Sequence, residues 1–595
     1  METLENCDMD NITRDETAGN ADLFLGAALT ISLSGCGEGG GDKSSAPPPT
    51  GSPQTPPTTD TLRADQAARF LLHASLSASK AEIDEIISVG FERWLDTAMD
   101  YANDLSAREF IENRGFDQID ANQHHGNEKL ADYVMWNQLL SGGNGVRKRV
   151  ALALSEFFVV NIDDLNIRWR HVAIASYWDM LNEHAFGNFR TLLEEVALHP
   201  TMASFLDTIG SQKADPATNR QPDENFAREL MQLFTIGLVE LGSDGQPKGG
   251  SAERETYSNR DVTELAKCFT GYDFDFSHTE VSTVPGGNWA LEHPDFLYSR
   301  VTAHPSRWRR PRTDSLHSDE AKTFLGVTVP EGAGATESLR IALDTLFGHP
   351  NTGPFFARQM IQRLVTSNPS GGYVERVAKV FADNGRGQRG DLKAVFKAIL
   401  LDPEARDDKV LSNQRCGKLR EPMLRLAQWG RTFNASSVSG DWTIERTDRD
   451  YDQLGQSPFR APSVFNFFRP SFVPAGSNAE RNGMVAPEFQ IADETSVAGY
   501  VNFLQSMIED RSYSGRDVKV SFEKQIALAH DPVELLDHYD LVLTANQLST
   551  SSRSLILEAI ESVALSGSDD DEGKLRRARI GALLVMASPD YLVQR

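Results

Sequence analysis

Cysteine is scarce: four in 595 residues, too few for a disulfide scaffold. Positive charge is outnumbered, with 59 Lys and Arg against 85 Asp and Glu and a net charge of −26. That balance excludes broad binding to nucleic acid or anionic lipid, since both require a cationic surface. A local basic patch is compatible with it. No apolar run reaches the roughly 18–20 residues that span a bilayer as a helix. Strand patterns are few and short; the best is 518–522, where Val518, Val520 and Phe522 alternate with Lys519 and Ser521. Catalytic signatures are missing too. There is no Gly-x-Ser-x-Gly elbow, no His-Glu-x-x-His, no Walker A loop and no Gly-x-Gly-x-x-Gly after a strand. No repeat of about 20–50 residues occurs, which excludes a solenoid.

What is present begins with residues 23–33, Leu-Phe-Leu-Gly-Ala-Ala-Leu-Thr-Ile-Ser-Leu, an apolar run of signal-peptide length. It ends in Leu33-Ser34-Gly35-Cys36, similar to the bacterial lipobox whose cysteine receives lipid. Residues 37–60 are almost all Gly, Ser, Pro, Thr and Asp and cannot bury enough apolar area to offset ordering entropy, so a flexible linker is expected. This order is that of an exported lipoprotein. Against it, residues 1–22 carry Glu2, Glu5, Asp8, Asp10, Asp15, Glu16 and Asp22 with Arg14 alone opposing them. A signal peptide has a positive front end, so the segment reads either as an export signal behind an altered start or as an uncleaved acidic tail.

From residue 61 onward helical periodicity dominates. Ala67, Ala68, Leu71 and Leu72 share one face. Ile83, Ile86 and Ile87 recur on the next segment, which Ser79 or Ser77 caps and Gly90 closes. Residues 146–160 are apolar enough for a buried helix. A long pattern over 172–198 runs to Pro200. Further helices are expected at 225–236, 262–269, 336–347, 354–365, 373–383, 391–401, 418–429, 496–509 and 573–586. Residues 270–320 form an irregular stretch rich in His, Pro, Arg and Trp, a length usually tied to function or mobility.

Several segments taken together resemble a known family. They include Ala67-Ala68-Arg69-Phe70-Leu71, residues 90–95 (Gly-Phe-Glu-Arg-Trp-Leu), 149–156 (Arg-Val-Ala-Leu-Ala-Leu-Ser-Glu) and 224–238 (Glu-Asn-Phe-Ala-Arg-Glu-Leu-Met-Gln-Leu-Phe-Thr-Ile-Gly-Leu). Later come Phe269-Thr270-Gly271-Tyr272, residues 322–326, His349-Pro350-Asn351-Thr352, residues 418–422 (Lys-Leu-Arg-Glu-Pro) and 455–465. Their order resembles the bacterial family called domain of unknown function 1800, over roughly residues 62–595. The resemblance implies a mostly helical, often exported protein, and no accepted activity or catalytic residues. It also implies a partner, because genes of that family often neighbour those of exported sulfatase-like proteins. The acidic residues 1–22 depart from the pattern.

The most polar helix start is Asp223-Glu224-Asn225-Phe226-Ala227-Arg228-Glu229. Asp223 suits an N-cap, Glu224 and Arg228 can pair at i, i+4, and Asn225 and Glu229 share the adjacent face. Leu230, Leu233, Phe234 and Leu238 are expected in the core. Glu224, Asn225 and Glu229 either ligate a cation or a sugar hydroxyl, or form a packing network with Arg228. His317 and Asp319, preceding Lys322, either coordinate a metal or serve as base and orienter, or Asp319 caps a turn. His199-Pro200 and His349-Pro350 follow helices, where imidazoles satisfy the last carbonyls. Cationic neighbours could lower the Cys416 thiol pKa. Arg307-Trp308-Arg309-Arg310-Pro311-Arg312 is a basic cluster able to grip an anionic glycan or phosphate, or to neutralise acids elsewhere. Trp442, Tyr451, Phe459 and Phe465 either line a sugar platform or fill the core. Arg460 is expected as a buried anchor.

The expectation is a mainly α protein: a single large multi-helical domain over 61–595 with long irregular insertions. Before it come an acidic disordered tail (1–22), a signal-like segment with a lipobox-like end (23–36) and a linker (37–60). Function reads as a lipid-anchored binding or scaffold component of the bacterial cell envelope, periplasmic or at the surface, joined to lipid at Cys36. The alternative is an envelope hydrolase or metal-assisted enzyme acting on polysaccharide or on sulfated or phosphorylated esters. No residue pattern names a cofactor.

Overall fold

The structure, a computed structural model, describes residues 62–249, 254–287, 289–510 and 517–595. The acidic tail, the signal-like segment with Cys36 and the linker lie outside these residues. Among the described residues the fold is carried by 24 α-helices. Strand occurs there only as four short antiparallel pairs, so the chain is mainly α, as its periodicity predicts. No helix among them is long and apolar enough to cross a membrane.

Helices begin where side chains settle orphan backbone groups. Ser79 Oγ accepts from the Glu82 amide at 3.3 Å, and the Glu82 carboxylate accepts from the Ser79 amide at 3.1 Å, which starts Lys80–Val89. Gly90, at φ +84°, ends that helix. The apolar pattern over 172–198 is two helices, Arg170–His184 and Phe189–Leu198. Asn188 separates them because its side chain accepts from the Arg190 amide at 2.9 Å. Pro200 follows the second helix and opens the next, Pro200–Phe205, at the position where a missing N–H is harmless.

Other boundaries shift for similar reasons. The helix expected over 225–236 stops as Asn225–Gln232, and Leu238 is 57% exposed instead of in the core. The segment 418–429 divides: Lys418–Leu419 is a strand paired with Val593–Gln594, and the helix starts at Pro422. Only Val518–Lys519 of 518–522 is strand, paired with Ser436–Ser437, because Phe522 already precedes the helix Glu523–Leu528.

Arg170–His184 is the hub. Val172, Ile174, Tyr177, Trp178 and Leu181 are buried on different faces, so neighbours surround it. It packs against Ala107–Arg114, Lys129–Leu140 and Gly145–Ser155. One contiguous apolar core runs from Ala67 to Tyr591, making the described helices a single large domain.

That core encloses charge. Lys418 and Glu421 are fully buried with their charged atoms 3.2 Å apart, and Glu488 reaches the same ammonium at 3.2 Å. Lys418 Nζ also donates to the Arg363 carbonyl at 2.8 Å, as does Arg149 at 2.6 Å. Gln456 donates to the second oxygen of Glu421 at 2.8 Å. Glu156 faces this group, its carboxyl hydrogen-bonded to Glu421, and Arg363 Nε is 3.9 Å away. Burial and the Glu421 charge push Glu156 well above the usual carboxyl range, whereas Lys418 holds Glu421 below it. Burial beside Glu421 therefore favours the protonated form of Glu156. Arg460 is the buried anchor expected of it, bidentate to Asp132 at 2.8 Å and reaching Asp163 at 2.8 Å.

The two buried glutamates should respond oppositely to neutralisation. Unfolded glutamate loses its proton near pH 4.3, while folded Glu156 keeps it. Stability therefore falls as pH rises above that value, by about 1.4 kcal/mol per pH unit until the folded group ionises. In thermal melts from pH 5 to 8, Glu156→Gln should melt at or above the wild-type temperature, with the gap widening as pH rises. Glu421→Gln should destabilise the protein, by less than the about 3–5 kcal/mol of a fully unpaired buried charge, because Glu488 still pairs with Lys418.

Candidate functional site

The irregular stretch after Thr270 folds back over residues 125–128, 165–170 and 210–212 and with them encloses a cleft of about 1090 Å³. Its floor is knitted by backbone hydrogen bonds. Gly271 donates to Ser211 O at 2.8 Å, Gly210 to Tyr272 O at 3.3 Å, and Lys213 to Leu316 O at 2.9 Å. Gly271 has φ +81°, and a Cβ there would sit 2.5 Å from the His317 backbone nitrogen, so only glycine fits.

His317 braces this floor from beneath. Lys322 Nζ, which can only donate, lies 3.3 Å from Ser338 Oγ. The serine hydroxyl then donates to His317 Nε2 at 3.0 Å, and His317 Nδ1–H donates to the Thr270 carbonyl at 2.9 Å. The chain of donors fixes the neutral Nδ1–H tautomer. Burial, aided by the Lys322 charge, lowers the imidazole pKa in the same direction.

The walls are aromatic and cationic. Trp169 and Trp308 are buried, their indole N–H groups donating to Glu292 O and Thr302 O, both at 2.9 Å. Phe296 stands 5.1 Å from Phe274 and 4.8 Å from Phe276. Trp289 rides on the hairpin Val281–Thr283/Ala290–Glu292 and is 38% exposed. Its ring meets the edge of His125 at 5.3 Å, and the Arg168 guanidinium lies over it at 4.7 Å. His125 is buried with Nδ1 unpartnered among the described residues; burial and Arg168 lower its pKa, leaving it neutral at pH 7.

Arg168, Arg170, Arg309, Arg310 and Arg312 line the cleft, against Glu128, Asp273 and Glu292. Arg170 pairs with Glu128 at 2.8 Å, Arg309 with Glu292, and Arg312 with Asp314 through two bonds of 3.1 and 2.8 Å. Such solvent-exposed pairs are worth about 0–1 kcal/mol and exchange partners readily. Among the described residues Arg168 and Arg310 have no carboxylate partner. Asp273 is half-buried, and desolvation raises its pKa. In a chain of net charge −26 this is a local excess of cations.

The six residues singled out in the sequence lie elsewhere. Glu224 pairs with Arg228 at 3.0 Å and accepts from Thr263 at 2.8 Å. The Asp223 carboxylate accepts from the Asn225 amide at 2.8 Å, and Asn225 Nδ2 reaches Asp207 at 3.4 Å. Glu229 is buried with Oε2 unpartnered among the described residues, and burial raises its pKa. His317 lies under the cleft floor, and Asp319 is exposed, 3.8 Å from Lys213. No group of three His, Cys, Asp or Glu among the described residues could hold a metal ion.

In His199 and His349 each Nδ1 accepts the amide two residues on, at 3.2 Å, and His199 also hydrogen-bonds the Ser176 backbone of the helix Arg170–His184, not the last carbonyls of the helix it follows. Burial raises the Cys416 thiol pKa, overriding its cationic neighbours. Trp442 and Phe459 belong to the core, while Tyr451 and Phe465 are exposed. From the basic cluster, Trp308, Arg309, Arg310 and Arg312 reach the cleft, and Arg307 pairs instead with Asp275 at 3.3 Å. His125 belongs to the His124-His125 pair that sequence offers among its histidine candidates; sequence reasoning missed Arg168, Trp169, Arg170 and Trp289. One signal was available: Arg168-Trp169-Arg170 repeats the Arg307-Trp308-Arg309 triplet, and both place a buried Trp in this wall.

The family model described as a protein of unknown function (DUF1800) matches residues 69–593, and the chain belongs to that family. No curated protein and no solved structure matches it.

The floor geometry predicts a contrast between two left-handed glycines. Gly271→Ala adds both backbone strain and a clash with His317, and should cost more than about 2 kcal/mol. Gly210→Ala, at φ +78° with open space around the new methyl, should cost about 1 kcal/mol. Chemical denaturation of the two variants measures the difference.

Proposed function

We propose that this family member is an exported protein held to a bacterial envelope membrane by lipid on Cys36, and that its arginine–tryptophan cleft binds an anionic saccharide. It acts as a binding or scaffold component, either periplasmic or at the cell surface. The observation that carries the binding reading is the gathering of five arginines with Trp169, Trp289 and Trp308 in one cleft of an acidic chain. Guanidinium forks match carboxylate, sulfate and phosphate oxygens, and indole rings offer apolar faces to sugar C–H groups. The anchor reading is supported by the apolar run ending in Leu33-Ser34-Gly35-Cys36 and the polar linker after it. An exported sulfatase-like protein is the partner we propose, on the family resemblance.

A second reading, hydrolysis of the bound saccharide, is favoured by one observation. Asp273 lines the cleft with Glu128 and Glu292, so three carboxyl groups share it, and burial raises the Asp273 pKa in the direction a general acid needs. Asp273→Asn should abolish turnover and spare binding if that reaction occurs.

Binding is measured by calorimetry with oligogalacturonate and with sulfated dextran oligomers as probes. Arg310→Ala should weaken binding about tenfold or more, and affinity should fall as salt rises. Binding unchanged in Arg310→Ala and insensitive to salt would remove the cleft reading. Wild type should incorporate labelled palmitate in a bacterial host and Cys36→Ala should not; equal labelling and fractionation of the two would remove the anchor.

A further inference from the structure

Trp289 is the cleft tryptophan with an exposed ring, and the chain's own Arg168 guanidinium lies over it at 4.7 Å. Trp169 and Trp308, by contrast, are buried and committed through their indole N–H bonds. The platform a sugar ring would stack on is thus the one a cation already covers. Arg168 is exposed, has no carboxylate partner among the described residues, and is held by the ring alone. Its neighbours in the wall, Arg309 and Arg170, are each satisfied by Glu292 and Glu128.

We propose that Arg168 is a plug for the Trp289 platform, which only a ligand carrying both an anionic group and an apolar ring face withdraws. The anion draws the guanidinium off the indole into a bidentate ion pair, and the ring it uncovers stacks the sugar. Arg310, on the adjoining loop and also without a carboxylate partner, completes the grip on the anion. A neutral saccharide has nothing to pull Arg168 away, and a small inorganic anion has no ring to fill the space left behind. The cleft therefore selects acidic sugars over neutral ones through a contact that competes with the ligand. This rests on the cleft-binding reading above.

The test is calorimetry on the full chain with oligogalacturonate, sulfated dextran oligomers and neutral cello-oligosaccharide. Tryptophan emission, wild type against Trp289→Phe, serves as a second readout. Arg168→Ala should invert the preference: acidic probes weaken about tenfold or more, and the neutral probe strengthens about tenfold. Trp289→Ala should weaken both classes. In wild type, the acidic probes should change an emission component that Trp289→Phe lacks, and inorganic sulfate should leave it unchanged. Whether the carboxylated or the sulfated probe binds more tightly identifies the anionic group. If Arg168→Ala weakens acidic binding without gaining neutral binding, Arg168 only grips, and the plug is overturned while the cleft reading stands. Unchanged acidic affinity in Arg168→Ala also overturns it. If no acidic probe binds wild type, the cleft reading falls and the plug with it.

Discussion

The Lys418 ammonium, fully enclosed among Glu421, Glu488 and the Arg363 carbonyl, is the constraint from which much of this molecule follows. A charge taken out of water is tolerable only when every partner arrives in place. Here Lys418, its partners and the groups that hydrogen-bond those partners come from several elements. The helix Thr352–Leu364 supplies Arg363, the turn Pro487–Ile491 supplies Glu488, the loop before Asn466 supplies Gln456, and Gly145–Ser155 supplies Arg149. Apolar packing alone would permit these elements to slide. The buried ions fix their register, and burial beside the Glu421 charge disfavours an ionised Glu156.

The same arrangement explains why the family's sequence signature is silent about chemistry. Residues 149–156, 418–422 and 455–465 converge on this interior or on the Arg460–Asp132 pair beside it. They encode a lock inside the domain. Glu224–Leu238 encodes a local helix start in which Glu224 and Arg228 satisfy each other at the surface. Polar residues kept for packing look, in sequence, much like polar residues kept for catalysis.

Helices were legible wherever an apolar stripe met a capping side chain, as at Ser79 with Glu82. They blurred where burial on all sides erased the stripe. In the pattern over 172–198 the apolar run continues across the break, which Gly187 and Asn188 mark. Leu238 is apolar yet exposed, because hydrophobicity alone does not say which side of a turn faces the core. His317 stands out in sequence as a histidine in an irregular stretch, but its hydrogen bonds run through Ser338 and Thr270, partners distant in sequence. The cleft was half visible. The 307–312 cluster advertises it, whereas Trp289 and His125 join it only through long-range folding. Its position on an irregular stretch over a rigid floor follows the common division between scaffold and binding loop.

The pairing of Lys418–Leu419 with Val593–Gln594 bears on how the chain comes into being. Gln594 also donates to the Leu364 carbonyl at 3.0 Å, across 230 positions. A polypeptide emerging from its amino end, whether from a ribosome or a translocation pore, cannot seal that interior until its last strand is out. Contacts this far apart in sequence pay loop-closure entropy before they stabilise anything, which slows folding.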